Sequence, residues 1–346
     1  MAERASVFAR TLSTPVILVA ILTAVAILAL IVNTGPFNQT VIEVFIRVVL
    51  VVGLYVFIGN SGVISFGHIG FACLGAYMTA WLTALPAIKK KYVGLPSFVI
   101  NNKLHYGVGL IAALVFAGLC AYVIGKVLMR LSGIAASIAT FAVLAFIIQV
   151  YSNWTSVTGA QMSFVGIPIV RTLWPYFLCA IFTVIAAYLY SISRSGLALR
   201  AARDEATAAS ASGVNIPHER LIAFTLSGAM MGLGGAMFAH SVGVVTPDTF
   251  YLGLTFITLS MLVVGGMNSL SGAVLGVVVL SAIIQVLRWL EKGIDVGGAT
   301  LAIPLGLQEI ALGVIMIFIL MYRPSGLTRN QEVVWRGWPL KKLSGG

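Results

Sequence analysis

The sequence predicts an all-α polytopic integral membrane protein with about ten transmembrane helices. Of its 346 residues, 60% are hydrophobic and only 9% are charged, whereas the surface of a soluble domain needs about 25% charged residues. Apolar stretches of roughly 20 residues recur along the chain, and each is long enough to cross about 30 Å of hydrocarbon. Because lipid offers no partner to backbone polar groups, such spans must be helical.

Ten apolar stretches are candidate spans. In chain order they are Pro15–Val32, Val41–Ile58, Val63–Leu85, Gly107–Met129, Gly133–Tyr151, Leu173–Ser193, Leu221–Ala239, Tyr251–Val264, Gly272–Leu290 and Gly306–Tyr322. The third begins in a glycine-rich segment and the eighth ends at a Gly-Gly pair. Either could therefore be a broken or re-entrant helix rather than a full crossing.

The first span follows Arg4 and Arg10, which is the charge order of a signal peptide. Its apolar run is longer than a usual signal-peptide core and has no clear cleavage site, so we expect an uncleaved span. In the second span, Glu43 and Arg47 lie one helical turn apart, and pairing there lowers the cost of burying either charge. This spacing predicts a structural ion pair.

Small residues mark helix contacts in the later spans. Gly228, Gly232 and Ala236 recur every four residues in the seventh span, so they share one helix face and allow a neighbouring helix to approach closely. Gly272 and Gly276 have the same spacing in the ninth span and the same interpretation.

The distribution of basic residues predicts the orientation. With an even number of crossings both termini lie on one side. Thirteen of the 21 Lys and Arg fall on that side and seven on the other, and Arg47 lies within a span. The positive-inside rule makes the side with more bases cytoplasmic. The chain then divides into a cytoplasmic N-terminus (residues 1–14), a transmembrane domain (15–322) with a cytoplasmic loop at 194–220, and a cytoplasmic tail (323–346).

Several function classes are excluded by the sequence. The net charge of +11 is no sign of a nucleic-acid partner, because the bases fall mostly at helix ends. The sequence has no GxxxxGK[ST], HExxH or GxSxG motif, so we expect neither an ATPase of its own nor other catalysis. Its three cysteines lie inside apolar spans without metal or redox spacing, and we expect no bound cofactor or metal.

The segment that leads into the third span is unusually polar and glycine-rich, namely GNSGVISFGHIGF from Gly59 to Phe71. Such backbone faces either a water-filled path or a close protein contact, and His68 could be a path residue or a hydrogen-bonded core residue. The candidates for a translocation path or for helix packing are Asn60, Ser61, Ser65, Gly67, His68, Gly75, Gly265, Gly266 and Gly272.

Four blocks of sequence together carry a resemblance to a known family. They are GNSGVISFGHIGFACLGAY, RSGLALRAARDEATAASASGVNIPHERLIAFTLSGAMMGLGGAMFA, TPDTF and VVGGMNSLSGAVLG. Their order and approximate spacing resemble the LivM-type permeases of ABC importers for branched-chain amino acids, over roughly residues 40 to 325.

The resemblance implies a subunit of a bacterial inner-membrane importer that forms half of a path for branched-chain or related amino acids. It implies four kinds of partner: a second, similar permease, two cytoplasmic ATPase subunits that use ATP and Mg, an extracytoplasmic substrate-binding protein, and membrane lipid. Without the resemblance, two rivals stay open. One is a secondary transporter coupled to H⁺ or Na⁺, although the spans hold almost no central carboxylates; the other is a channel or scaffolding subunit.

The 194–220 loop then looks like the coupling helix that meets the ATPase. The residues that match the family pattern are Gly196, Arg200, Ala201, Arg203, Ala208, Ala209 and Gly213. The chain departs from the pattern at Ala206, where the family often has an acidic residue, and its own carboxylates are Asp204 and Glu205.

The residues of this loop favour the same role. The alanine-rich stretch 200–212 predicts one short helix bracketed by Gly196 and Gly213, and its small side chains suit a groove on a soluble partner. We expect Arg203 to pair with a carboxylate of that partner and Gly213 to need a left-handed or closely packed backbone.

Four lysines run against the orientation rule. Lys89, Lys90, Lys91 and Lys103 fall on the predicted outer side. Either they attract acidic patches on a docking binding protein, or they are simply solvated or in contact with lipid headgroups.

Overall fold

Long helices make up most of the molecule. The computed structural model describes residues 2–90, 96–291, 294–296, 299–301, 307–323 and 325–333. The α-helices are α1 (Ala2–Val32), α2 (Gly35–Ser61), α3 (His68–Thr83), α4 (Pro86–Lys89), α5 (Ser97–Asn101), α6 (Tyr106–Leu128), α7 (Gly133–Asn153), α8 (Thr155–Thr158), α9 (Leu173–Ile192), α10 (Arg194–Asp204), α11 (Ala206–Ala211), α12 (Ile216–Val242), α13 (Leu252–Gly265), α14 (Leu270–Glu291) and α15 (Leu307–Tyr322).

The remaining elements are short. A 3₁₀ helix, Pro247–Phe250, precedes α13. Strand β1 (Phe164–Val165) pairs antiparallel with β2 (Val244–Val245), with Phe164 opposite Val245. Strand β3 (Ile294–Val296) pairs antiparallel with β4 (Ala299–Leu301). The all-α fold class is therefore confirmed.

Eight of the described helical segments are long and apolar enough to cross a membrane. They are Ser13–Val32, Gly35–Ser61, Tyr106–Leu128, Gly133–Asn153, Leu173–Ile192, Ile216–Val242, Pro247–Gly265 and Leu270–Trp289. The other two predicted spans correspond to α3 and α15, which have 16 residues each and are shorter than a typical crossing helix. The third span is helical only from His68, because the stretch from Gly62 to Gly67 leaves the helical conformation.

Helix α2 is the central helix of the bundle. From Val41 to Ser61 nearly every residue is buried, and α2 packs against α12, α9, α14, α13, α10 and α1. A helix that is apolar all round is expected at such a position. It ends where Gly62 takes a left-handed φ of 71° and donates its N–H to Ile58 O, which is the usual glycine termination.

Close contacts of small residues hold α12 against its neighbours. A side chain at Gly232 would lie 2.3 Å from Cβ of Ala117 in α6, and one at Gly228 would lie 2.4 Å from Cβ of Ala121. Ala236 on the same face is fully buried. The predicted packing role of this face is confirmed, and it brings α6 and α12 together at the distance typical of small-residue interfaces.

Contacts at the two ends of α12 mark two opposite ends of the described bundle. Glu219, in the first turn of α12, accepts a hydrogen bond from Ser195 of α10, whereas His240 in its last turn contacts Thr79 of α3 and the carbonyl of Pro168. Because Glu219 and His240 lie at opposite ends of one continuous helix with a rise of about 1.5 Å per residue, these contacts are about 30 Å apart. We call the first group the coupling end and the second the distal end.

Near the distal end of α2, the predicted ion pair is present with an additional partner. Arg47 Nη2 lies 3.4 Å from Glu43 Oε2, and Arg288 of α14 approaches the same oxygen at 3.0 Å. Arg47 also donates to Ser281 Oγ at 3.2 Å. The cluster therefore joins α2 to α14 in addition to pairing within α2.

Candidate coupling surface

Two short helices, rather than the single predicted helix, form the loop at the coupling end. Helix α10 starts at Arg194, capped by the Ser193 hydroxyl on the N–H of Gly196. The chain is extended at Glu205, where φ is −151°, and α11 then begins with the Glu205 carboxylate accepting from Thr207 N. A side-chain cap inside the alanine-rich stretch divides it, because the cap satisfies the free N–H groups of a new helix start.

Gly196 and Gly213 do not simply mark the two ends of one helix, because each glycine has its own structural role. Gly196 lies inside α10, and a side chain there would meet the carbonyl of Tyr190 at 2.2 Å, so the position requires close backbone approach. Gly213 follows α11 with a φ of 87°, the left-handed conformation that glycine adopts without strain. The expectation for Gly213 is thus confirmed in its backbone geometry.

Arg203 lies within the chain's own fold. Its Nη1 donates to the carbonyl of Gly59 at 2.6 Å, and its Nε and Nη2 donate to Asp204 Oδ1 at 3.1 and 3.0 Å. Its stem covers Gly62, where a side chain would lie 2.7 Å from Arg203 Cγ. The guanidinium thus joins α10 to the end of α2 within the chain, and its expected pairing with a partner carboxylate stays a prediction.

Two further hydrogen bonds fix α10 to the bundle. Arg200 donates to the carbonyl of Ser191 at the end of α9. Ser195 donates its hydroxyl to Glu219 in the first turn of α12. Together with Arg203, these contacts attach α10 to three membrane helices, so a displacement of α10 must be resisted or followed by all three.

Helix α11 presents small residues to solvent. Ala209 is buried against the protein, whereas Ala206, Ala208 and Ser210 are exposed. Asp204 and Glu205 are also exposed next to them, although each already has a hydrogen bond within the loop. A shallow face of small side chains with two carboxylates at one edge fits a groove on a partner without burying many charges.

The turn between α13 and α14 lies beside the loop. A side chain at Gly59 would lie 2.7 Å from the carbonyl of Met267 in this turn, so the end of α2 that receives Arg203 also touches the turn. Gly265 and Gly272 allow α13 and α14 to approach, because a side chain at Gly265 would lie 1.9 Å from Gly272 O. Gly266 has a φ of 121°, which also favours glycine.

Residues 325–333 fold back over this turn, and we call them the C-terminal clasp. Glu332 accepts hydrogen bonds from Leu270 N at 2.6 Å and from Ser271 N at 3.0 Å, which caps the start of α14. Thr328 Oγ1 donates to Gly265 O at 2.9 Å. The clasp also reaches α1, because Thr14 donates to Val333 O at 3.2 Å.

The sequence interpretation did not identify the clasp. Its only local signal is the polar run that follows the last span, and a polar tail is expected of any membrane protein. The residues that it caps lie about sixty positions earlier in the chain, so no helical or strand periodicity links the two segments.

Most of the polar segment around the start of α3 is buried, although Gly62 and Ile64 are exposed. His68 is fully buried among the rings of Phe57, Phe71 and Phe224, and its Nδ1 lies 2.6 Å from Ser65 Oγ. Asn60 donates its side-chain amide to Val56 O at 2.9 Å. For both side chains, contacts with neighbouring protein agree with the helix-packing alternative.

The other residues of that set show close packing too. Ser61 accepts from Val63 N at 3.2 Å. A side chain at Gly67 would lie 2.3 Å from Thr140 O of α7, and one at Gly75 would lie 2.1 Å from Gly232 O of α12. Backbones of adjacent helices meet at both glycines.

The distal lysines do not form one surface. Lys89 is fully buried, and its ammonium donates to the carbonyls of Leu82, Val99 and Asn102 at 3.1, 3.0 and 2.8 Å. Burial lowers the pKa of Lys89 to about 8, so it is an ammonium at neutral pH. Lys89 is therefore corrected from a docking residue to an internal anchor.

Of the other three lysines, Lys90 and Lys103 are exposed. Lys91 lies outside the described residues. Lys90 and Lys103 keep their predicted availability to a partner, a lipid headgroup or solvent.

Apolar helices around a central helix, with α10 bonded to three of them at one end, define a multi-pass membrane protein with an exposed surface for a partner. The family described as "Branched-chain amino acid transport system / permease component" matches residues 37–320. The chain belongs to this family, and it is a transmembrane permease subunit of an ABC importer.

Proteins with similar sequences are also named as permeases of transport systems. The chain is 24% identical over 322 residues to the high-affinity branched-chain amino acid transport system permease protein LivM of Escherichia coli K12, covering 82% of this chain and 67% of that protein. The Salmonella typhimurium LivM matches to the same extent. The autoinducer 2 import system permease protein LsrC of Yersinia pseudotuberculosis is 28% identical over 209 residues, which is 56% of this chain and 59% of LsrC. No solved structure matches the chain.

Such permeases are generally non-catalytic and work with ATPase and binding-protein partners. Family membership favours the importer subunit over the two rivals, an ion-coupled secondary transporter and a channel or scaffold.

Proposed function

We propose that this chain forms half of the translocation path of an importer for branched-chain or related amino acids in a bacterial inner membrane. The chain binds no ATP itself, and its partners are a second, similar permease, two cytoplasmic ATPase subunits and an extracytoplasmic binding protein. The substrate proposal rests on the family description and on the names of the LivM relatives.

The observation that carries the mechanism is the attachment of α10 to α2, α9 and α12 at one end of the bundle. When the ATPase partners close on ATP, they push on the exposed face of α11 and on α10. Rigid short helices transmit such a displacement to the spans to which they are attached. Arg203 passes it to the end of α2, the central helix.

Because Gly59 touches the α13–α14 turn, the same displacement reaches α13 and α14. The clasp holds that turn by hydrogen bonds on both sides, so the turn moves as a unit with α14. The spans around α2 then shift against α3, α6 and α12, and access changes from one side of the membrane to the other. The residues assigned to ATPase coupling are Gly196, Arg200, Arg203, Asp204, Glu205, Ala208, Ala209 and Gly213.

The test is uptake of a labelled amino-acid panel by proteoliposomes that contain the complete complex and its binding protein. We expect ATP-dependent uptake of leucine, isoleucine or valine with ion gradients collapsed. Uptake that needs an H⁺ or Na⁺ gradient and ignores internal ATP would contradict the proposal. ATP-driven uptake of a different solute class would keep the mechanism and overturn the substrate.

A further inference from the structure

An open groove with a volume of about 430 Å³ lies at the coupling end, between the end of α6 and the start of α12. Its lining includes Lys126, Arg130, Asn215 and His218, and all four are exposed. None of these residues takes part in the contacts that attach α10 to the bundle. The groove is thus a separate feature from the coupling surface.

The groove is electropositive. Among the described residues that line it, Lys126 and Arg130 are cationic and none has a carboxylate. The nearest carboxylate in sequence, Glu219, accepts the Ser195 hydroxyl and so faces α10. Asn215 caps the first turn of α12 by accepting from His218 N at 3.3 Å, and the start of this 27-residue helix adds partial positive charge.

An apolar strip leads from the groove along the outside of α6. Leu119, Val123 and Val127 are 59, 65 and 69% exposed, and their spacing of four places them on one helix face. Tyr122 is next to them, and the Lys126 ammonium lies 4.6 Å from the centre of its ring. A cationic groove at the end of a spanning helix suits the headgroup of an anionic phospholipid. The exposed apolar face that continues from it suits an acyl chain.

We propose that this groove binds the phosphate headgroup of an anionic phospholipid, with an acyl chain lying along Leu119, Val123 and Val127. Lys126 and Arg130 contact the phosphate, while His218 and Asn215 offer hydrogen bonds to the headgroup. Basic pockets between membrane helices are suited to anionic headgroups in this way. The site needs only the membrane, so it stands independently of the transported solute.

The test is native mass spectrometry of the purified complex titrated with phosphatidylglycerol or with phosphatidylcholine. The double variant Lys126→Gln/Arg130→Gln should bind phosphatidylglycerol roughly thirtyfold more weakly at this site, because each base near the bilayer contributes about fivefold. Binding of phosphatidylcholine should not change. The single variant Lys126→Gln should bind phosphatidylglycerol about fivefold more weakly. It tests the same site with a smaller change to the protein.

Arg323→Gln is the matched control, since Arg323 is an exposed base next to the clasp and outside the groove. It should bind phosphatidylglycerol as the wild type does. Equal phosphatidylglycerol binding by the wild type and the double variant would overturn the proposal. So would a double variant that keeps the lipid but no longer co-purifies with the ATPase, because the groove would then be a protein-docking site.

Discussion

Arg203 is the residue at which the coupling surface meets the core of the bundle. Its three hydrogen bonds, to Gly59 O and Asp204 Oδ1, stay within the chain, and its side chain is only 21% exposed. An arginine can hold a backbone carbonyl and a carboxylate together because its donors lie in a fixed plane. The sequence indicated that this residue matters, but the spacing within 194–220 carries no information about Gly59.

Replacing Arg203 by alanine should uncouple the complex without dissociating it. The variant loses the bond to Gly59 O, and a hydrogen bond from a charged group is worth about 1–2 kcal/mol at a partly exposed site, so uptake should fall roughly tenfold. Pull-down of the ATPase subunits should stay at the wild-type level. Arg194→Ala, an exposed arginine in the same helix, is the control. Loss of the ATPase from the Arg203→Ala complex would show instead that Arg203 faces the partner.

Lys89→Met should loosen the distal segment that contains α4 and α5. The variant removes one ammonium and leaves the carbonyls of Leu82, Val99 and Asn102 without that donor, a loss on the order of 3 kcal/mol for buried groups. Hydrogen exchange in residues 96–104 should become faster. The exposed neighbour Lys90 gives the control variant Lys90→Met, which should exchange like the wild type. Unchanged exchange in Lys89→Met would refute the anchoring role.

At the scale of elements, hydropathy predicted the spans well and their ends less well. The seventh span was predicted as Leu221–Ala239 and is observed as Ile216–Val242. Its added first turn is polar and is capped by Asn215, so no apolar signal marks it. The short strands β1 and β2 were not predicted, because two-residue pairings between segments eighty positions apart leave no pattern in either segment.

The sequence also predicted some elements of the candidate site and missed others. The coupling loop was recognised because its composition differs from that of the spans around it. Its division at Glu205 was not, since an acidic residue within an alanine-rich run is also a good helix former. The clasp and the link from Arg203 to Gly59 are long-range contacts, and a single sequence contains no signal for them.

Glu332→Ala should destabilise the start of α14. The carboxylate caps Leu270 N and Ser271 N, and loss of a helix N-terminal cap costs about 0.5–2 kcal/mol. The apparent Tm in detergent should therefore fall by a few degrees. Gln331→Ala, at the exposed residue next to it, serves as the control and should leave the Tm unchanged. Equal Tm values for the two variants would show that the clasp does not stabilise the turn.

At the scale of the whole molecule, several described connecting segments lie at one of the two ends of the bundle. Their grouping agrees with the sides predicted from the count of basic residues. Thr14, the 194–220 loop and the clasp lie at the coupling end. Helices α4 and α5, and strands β1 and β2, lie at the distal end with Thr79, Leu82 and His240. The assignment of the coupling end to the cytoplasm stays a prediction from the positive-inside rule.

Thiol labelling tests that assignment. In a background without Cys73, Cys120 and Cys179, a cysteine at Ser210 should be labelled only from the cytoplasm and one at Ser97 only from outside. Both positions are exposed, so accessibility of the side chain itself does not limit the reaction. Labelling of Ser97 from the cytoplasm alone would reverse the orientation.

The most direct test of the central claim, that α10 and α11 couple the spans to an ATPase, replaces Ala206–Ser212 by a Gly/Ser segment of equal length. The replacement touches no apolar span, so the protein should still insert into the membrane and bind its permease partner. We predict that the ATPase subunits no longer co-purify and that binding-protein-stimulated ATP hydrolysis and uptake are lost. Wild-type recruitment, hydrolysis and uptake in this variant would contradict the coupling role of the loop.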